Sequence, residues 1–281
     1  MNKSVSEMAK EMGLIDYSFD EIFELSHSAK EIVSDLSKKG ICTNVEKLRE
    51  ILEFAGKRCT LTVGFIDSFK EGINKAKHDI ECNIGDTYMV QKWLTIIQTH
   101  RDVYEMMGFL TLLQMDAITT TISLLQATND TERIMLCKHA YTIIYEAKEN
   151  DLFKKVSAGM QKYPEDLVKS EDVNSFWKDI KAILKKLMDT KEAKDIRNNL
   201  DAHKSHSFMT QISFYKKCDW ARSVINLSLF IMIIDKIQTY MDIIHDNINR
   251  LYDQYIVFME DRMNQYEAIL KQLQDYNELT K

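Results

Sequence analysis

The residue types best suited to chemistry lie together in the segment 196–203, which reads IRNNLDAH. Cleaving RNA without a metal requires a base that titrates near neutral pH, so that a 2′-hydroxyl can be activated, and histidine supplies it. The reaction also requires a permanent cation beside the phosphate as negative charge develops there. Arginine supplies that cation, and its planar fork matches phosphate oxygens. Arg197 and His203 are therefore a candidate catalytic pair.

The spacing of this pair sets a condition on the backbone. Residues six apart on an unbroken α-helix lie roughly 120° apart around the axis, so Arg197 and His203 would not share a face. The two side chains converge only if the chain bends between them, and the asparagines and aspartate of 198–201 are residue types that permit a bend. If His203 lies near the start of the following helix, free backbone N–H groups there add a second anion-binding element.

This segment resembles the motif of the HEPN superfamily (higher eukaryotes and prokaryotes nucleotide-binding domains). The family pattern is an Arg, then a polar residue, then a His after four to six intervening positions; Arg197, Asn198 and His203 match it. The resemblance implies a compact helical bundle that dimerises with both motifs facing one cleft. It also implies an endoribonuclease, of the kind found in toxin–antitoxin and antiviral systems, that requires no metal or other cofactor. A cognate antitoxin is then an expected partner.

Local charge supports a substrate-binding role for neighbouring residues. From Trp177 to Lys204 there are eight Lys and Arg against five Asp and Glu, a local excess of positive charge on a chain whose net charge is −6. The weaker candidates for RNA contact are Lys204, Lys185 and Lys186, with Asp201 either orienting His203 or capping a helix. The alternative for the lysines is a solvated helix face, and for Arg197 and His203 a helix end where cations oppose the dipole.

Two other groups of residues in the sequence have spacings typical of functional sites. Arg133 and His139 match the same spacing, but Ile134 follows the Arg and the segment is helical without a bend, so we interpret them as structural. Glu24-x-x-His27 has the spacing of di-iron helical bundles, with Asp242-x-x-His245 as a second half and Glu105 or Glu146 to complete it. This di-metal bundle is a third functional hypothesis, after the ribonuclease and a catalytically silent interaction module.

Composition predicts an all-α fold for the elements that position these residues. Among 281 residues there are only 8 Gly and a single proline, Pro164, whereas the turns of sheet proteins usually need Gly or Pro. Hydrophobic residues make up 45% of the chain, enough for a sizeable core. The five cysteines are odd in number and widely spaced, which is not a disulfide framework.

Apolar periodicity and capping signals place the helices. We expect helices from Ser18 to Gly40, from Asn44 to about Gly56, through 59–65, from 86 to 127 with an interruption near Gly108, from Asn129 to Asn150, from Ser170, and from about Phe208 with a break at 245–249. The break was expected because an unbroken helix would be far longer than a compact domain.

The whole chain, 1–281, is predicted to be a single helical domain. Its parts are an N-terminal helical region (about 1–85), a HEPN-like core (about 86–250) and a helical tail (about 250–281). The tail carries apolar residues at steps of three and four, a seam that requires a partner helix within the chain or on a second copy. The members of this seam are Tyr252, Tyr255, Met259, Met263, Tyr266, Leu270 and Leu273.

Location and membrane association were predicted from apolar runs. The N-terminal residues lack the apolar stretch of a signal peptide. The longest apolar run, Val224 to Ile234, is interrupted by Asn226 and Ser228 and is far short of the ~20 residues that span a bilayer. We therefore expect a cytoplasmic protein with no membrane partner, a multi-helix bundle with long C-terminal helices.

Overall fold

A computed structural model describes residues 29–82, 87–187, 190–202 and 208–279, and all regular structure in these ranges is helical. The predicted all-α multi-helix bundle is confirmed. The α-helices are α1 (Ala29–Lys38), α2 (Val45–Glu81), α3 (Thr87–Gln126), α4 (Asp130–Glu149), α5 (Leu152–Met160), α6 (Ser170–Leu184), α7 (Thr190–Ile196), α8 (Phe208–Tyr215) and α9 (Trp220–Leu279). A π-helix, Arg197–Ala202, directly follows α7.

Two predicted helix starts carry the caps that their sequences indicate. The Asn44 side chain accepts a hydrogen bond from the Lys47 backbone N–H (3.1 Å), and α2 begins at the next residue. The Asn129 side chain accepts from the Glu132 N–H (2.8 Å), while Glu132 reaches back to the Thr128 N–H (2.8 Å). These reciprocal bonds satisfy backbone donors that have no partner in the first turn.

Helices α2 and α3 form an antiparallel pair, in which α2 is longer than predicted and α3 runs without the predicted interruption. Gly56 lies against Met115, Gly108 against Thr62 and Gly72 against Ile97. The predicted end of α2 near Gly56 and the predicted interruption of α3 near Gly108 are therefore wrong. A glycine inside a helix costs about 1 kcal/mol relative to alanine, a small term beside the burial gained along this helix pair.

The longest helix, α9, has 60 residues and runs unbroken through 245–249, so the predicted break there is wrong. The break occurs earlier, between α8 and α9, where the Asp219 side chain accepts from the Arg222 N–H (3.0 Å) and caps the new helix. The break was predicted on the assumption that a helix would not extend beyond a compact domain. At ~1.5 Å per residue, however, the 60 residues of α9 extend to about 90 Å. The side chains described between 264 and 271 are all exposed.

The hydrophobic core forms where the first half of α9 meets α3, α4 and α6. Its most deeply buried side chains have essentially no exposure, and large ones such as Tyr141, Ile180 and Phe230 come from three different helices. Helix α2 belongs to the same body, because its Phe65 packs edge-on against Tyr104 of α3 (5.6 Å between ring centroids). A smaller apolar cluster joins the first turns of α2 to the last turns of α3: Leu48, Ala55, Ile118 and Ile122.

Among the described helices, the Tyr88–Gln126 part of α3 is long and apolar enough to cross a membrane, judged by length and composition alone. Core helices of soluble proteins pass the same test, and α3 buries Leu110, Ala117 and Leu124 completely. Threonine and glutamine residues interrupt the apolar residues of this helix, so it contains no long continuous apolar run.

Candidate functional site

Arg197 lies where the helix geometry changes. Helix α7 ends at Ile196, which is fully buried, and the chain continues as the π-helix from Arg197 to Ala202. Asn199 contributes to this change, since its side-chain amide donates to the Asp195 carbonyl (2.7 Å) and so competes with backbone bonding. The wider π turn departs from α geometry at the motif, and such turns occur frequently at functional sites.

The Arg197 guanidinium is held by three neighbours. Its Nη2 lies 3.2 Å from a carboxylate oxygen of Glu146 on α4, and its Nη1 donates to the Asn198 side-chain oxygen (3.2 Å). The charged group also lies over the Tyr145 ring, 5.5 Å from its centroid. The side chain is only 26% exposed, so these contacts orient the cation at the edge of the bundle.

This arrangement leaves Arg197 able to bind an anion. A guanidinium has five N–H donors, and the contacts with Glu146 and Asn198 use only part of them. Its Nε is buried and has no hydrogen-bond partner within the described part of the chain. A phosphate oxygen arriving at the exposed edge would meet a pre-oriented fork, with the Glu146 carboxylate as its electrostatic competitor.

Of the remaining predicted site residues, only Lys185 and Lys186 have side chains that the structure describes. His203 and Lys204 lie outside the described residues, as does the side chain of Asp201. Lys185 and Lys186 are exposed at the end of α6, and no contact given for the described residues connects them with Arg197. Of the predicted catalytic residues, Arg197 and Asn198 are therefore the two whose side chains the structure describes.

The second Arg-to-His match has structural contacts. Arg133 is buried, donates to the Ala127 carbonyl at the end of α3 and lies over the Trp220 ring, 5.1 Å from its centroid. Through these two contacts the Arg133 guanidinium joins the junction between α3 and α4 to the start of α9. This geometry agrees with the structural interpretation drawn from the sequence.

Three described residues of the di-metal hypothesis contact residues outside the hypothesised metal site. Glu146 pairs with Arg197, Asp242 pairs with Arg58, and His245 faces His100. In the described ranges, no three His, Cys, Asp or Glu side chains lie close enough to hold a metal ion. Glu24 and His27, the other half of that hypothesis, lie outside these ranges.

A buried histidine relay was not predicted. His100 on α3 has no solvent exposure; its Nδ1 lies 2.6 Å from the Tyr163 hydroxyl, and its Nε2 lies 3.2 Å from Nδ1 of His245 on α9. Phe65 and Phe69 of α2 pack their rings against the two imidazoles. Helical spacing in the sequence could have indicated that His100 is buried, since it lies on the same face of α3 as the buried Ile96 and Val103.

The proton arrangement in this relay follows from hydrogen-bond satisfaction. Burial raises the pKa of Tyr163 well above its usual range, so its hydroxyl keeps its proton. Burial, followed by the nearby His245, lowers the pKa of His100 to about 3, so the imidazole is neutral. The arrangement that satisfies every group has Tyr163 donating to Nδ1 of His100, and Nε2–H of His100 donating to His245.

The chain was compared with models of protein families, with curated proteins and with solved structures. None of these comparisons finds a match. The geometry at Arg197 and the resemblance carried by the segment from Arg197 to His203 are therefore the two observations that bear on function.

Proposed function

We propose that this protein is a metal-independent endoribonuclease of the HEPN type that acts as a dimer. The observation that supports the proposal best is the setting of Arg197. It stands at the first position of a π-helix, with its guanidinium oriented by Asn198 and Glu146 and partly open to solvent. An oriented cation of this kind is what stabilisation of a phosphoryl transition state requires.

The chemistry assigns one role to each motif residue. His203 takes the proton from a ribose 2′-hydroxyl, and the 2′ oxygen attacks the adjacent phosphorus while the bond to the 5′ oxygen breaks. Arg197 binds the phosphate oxygens as negative charge develops on them. The products are a 2′,3′-cyclic phosphate and a 5′-hydroxyl, whose oxygen receives a proton as it leaves. Asn198 is a positioning residue, because it contacts the Arg197 guanidinium.

Glu146 fits this proposal as a residue that holds Arg197 before RNA binds. Both partners are partly exposed, with 26% of the Arg197 side chain and 39% of Glu146 accessible, so water screens their attraction. A phosphate with two available oxygens can replace a single carboxylate contact by a bidentate one. The acidic neighbour therefore keeps the guanidinium oriented without closing the site.

The decisive test is RNA cleavage in EDTA by wild-type protein and by the variant His203→Ala. We expect wild type to cut a mixed RNA pool and leave cyclic-phosphate ends, and the variant to lose this activity by a factor of about 100 or more. His206→Ala is the matched control, because it removes a histidine three residues away and should leave cleavage intact. Absence of cleavage by folded wild-type dimers, or equal cleavage by the His203 variant, would overturn the proposal.

The proposed activity carries further expectations. A nuclease that cuts cellular RNA acts in the cytoplasm and requires an inhibitory partner, here a cognate antitoxin, while it is held inactive. RNA phosphates and the exposed Lys185 and Lys186 are complementary in charge, which makes these lysines secondary contacts in the proposal. Neutralising them should weaken RNA binding and reduce its salt dependence.

A second candidate function, a catalytically silent interaction module, is favoured by the end of α9. The helix continues to Leu279, and its described side chains between 264 and 271, including Ile269 at 52% exposure, remain accessible. A helix with an apolar seam and no described neighbour at this end suits pairing with another helix. This function would survive the loss of His203, which separates it from the ribonuclease.

A further inference from the structure

A cavity of about 490 Å³ lies between α2, α3 and α9, on a part of the molecule that the ribonuclease proposal does not use. Its interior is apolar, with Val90 and Ile97 of α3 and Ile248 of α9 among the lining side chains. A volume of this size is in the range that holds a small organic molecule. None of the residues that contact Arg197 lines it.

One wall of the cavity is a pair of stacked aromatic rings. The Trp93 indole lies nearly parallel to the Tyr252 ring, with their centroids 5.3 Å apart and an angle of 24° between their planes. Phe69 also lines the cavity and packs edge-on against the buried His100 ring beneath it (5.0 Å). Flat aromatic walls favour a flat aromatic occupant, which gains both apolar burial and ring contacts.

The floor of the cavity is rigid because the relay fixes it. His100 borders the cavity, and both of its ring nitrogens are engaged, one by Tyr163 and the other by His245. Its neutral ring therefore presents no free charge to an occupant. A floor locked by two hydrogen bonds keeps its shape when the cavity is empty, which reduces the entropy lost when a ligand binds.

The polar residues at the cavity favour an anion. Lys75 lines it together with Ser68 and Asn249, and no carboxylate is among its described lining residues. Within the described part of the chain, Lys75 has no salt bridge. The contrast with another surface cavity is clear, since Glu165, Asp166, Asp172 and Asp179 all line that one. Lys75 is therefore the one lysine, arginine or carboxylate among the described lining residues, and an anion at the mouth would meet its ammonium.

We propose that this cavity binds a small aromatic carboxylate. The aromatic ring enters between the apolar interior and the Trp93–Tyr252 wall, and the carboxylate remains at the mouth beside the Lys75 ammonium. Burial supplies most of the affinity, while the exposed ion pair contributes selectivity for an anion, because water screens such pairs.

The test uses 2-naphthoate as the probe and its neutral analogue 2-naphthamide as the matched compound. Trp177 and Trp220 are buried, so quenching of the more accessible Trp93 reports on the cavity, and calorimetry gives the dissociation constants. We expect naphthoate to bind the full-length protein more tightly than naphthamide. Lys75→Gln should weaken naphthoate binding roughly three- to fivefold and leave naphthamide unchanged. Lys77→Gln, two residues further along α2 and on another face of the helix, should change neither.

Two further variants test the cavity itself. Trp93→Ala removes half of the aromatic wall and should abolish binding of both compounds. Ser68→Phe places a ring at the exposed mouth and should block entry, which tests the same point without removing a packed side chain. No binding of naphthoate to wild type, or binding that persists in Ser68→Phe, would overturn the proposal. Neither result depends on whether the protein cleaves RNA.

Discussion

At the level of single residues, the most constrained group is the His100 relay. Burial lowers the pKa of His100 to about 3 and also lowers the pKa of His245, on which the carboxylates of Asp246 and Asp242 act in the opposite direction. Protonating Nδ1 of His100 would reverse its hydrogen bond with Tyr163 and leave the buried hydroxyl proton without an acceptor. The folded protein therefore favours neutral histidines here.

This relay predicts a loss of stability in acid. Below the ordinary histidine pKa of 6.5 the unfolded chain takes up protons that folded His100 does not bind until about pH 3. The free energy of unfolding should therefore fall as pH decreases through this window, by about 1 kcal/mol per pH unit from His100. Urea unfolding at pH 7, 6, 5 and 4.5 measures the slope.

A matched pair of variants assigns that slope to the relay. His100→Gln retains a hydrogen-bonding side chain but cannot titrate, so its stability should depend less on pH than that of wild type. His78→Gln removes an exposed histidine and should leave the slope unchanged. Equal slopes in wild type and His100→Gln would show that groups other than His100 govern the acid response.

At the level of secondary-structure elements, Gly159 of α5 and Gly64 of α2 have different roles. Gly159 of α5 lies so close to α3 that an added Cβ would meet Val103 Cγ2 at 2.5 Å, and Val103 is fully buried and stiff at χ1. Gly64 of α2 faces open space. The first glycine permits close helix packing, whereas the second only lowers helix propensity.

This difference predicts opposite effects of one substitution. Gly159→Ala should destabilise the protein by about 1–3 kcal/mol, because neither helix can move away without disturbing the core. Gly64→Ala should stabilise it by up to about 1 kcal/mol through improved helix propensity. Thermal unfolding of the two variants beside wild type measures both changes, and a stabilised Gly159→Ala would contradict the packing at this contact.

At the level of the whole molecule, the far end of α9 suits self-association. The seam residues Met259 and Leu270 repeat at the spacing that brings two helices together, and neighbouring polar positions such as Gln265 are exposed. A dimer is also what the proposed ribonuclease requires. Pairing of two α9 helices would also bury Ile269, whose side chain is 52% exposed.

We predict that wild type is a dimer by light scattering coupled to size exclusion. Met259→Asp combined with Leu270→Asp should convert it to a monomer without loss of helicity, because charge at a seam opposes helix pairing. Asn264→Asp combined with Gln265→Asp is the control, since it adds the same charge beside the seam. A dimer that tolerates the seam variant would place the interface elsewhere.

The sequence by itself determined the fold class, because an all-α architecture follows from scarce glycine and proline, helical periodicity and local caps such as Asn44 and Asn129. It also located Arg197 in a segment unsuited to a regular α-helix, where the structure has a π-helix. These are short-range properties, which depend on residues within one or two turns. The roles of His203 and Lys204 remain predictions from the sequence.

Only the tertiary structure decided which helices continue and which side chains meet. Gly56 and Gly108 were expected to end or interrupt helices, but packing between α2 and α3 outweighs their low propensity. Glu146 and Arg197 are 51 positions apart, and His100 and His245 are 145 apart, so no local pattern joins them. Contacts at such separations arise only when the core closes, because their energy depends on burial and on neighbours from several helices.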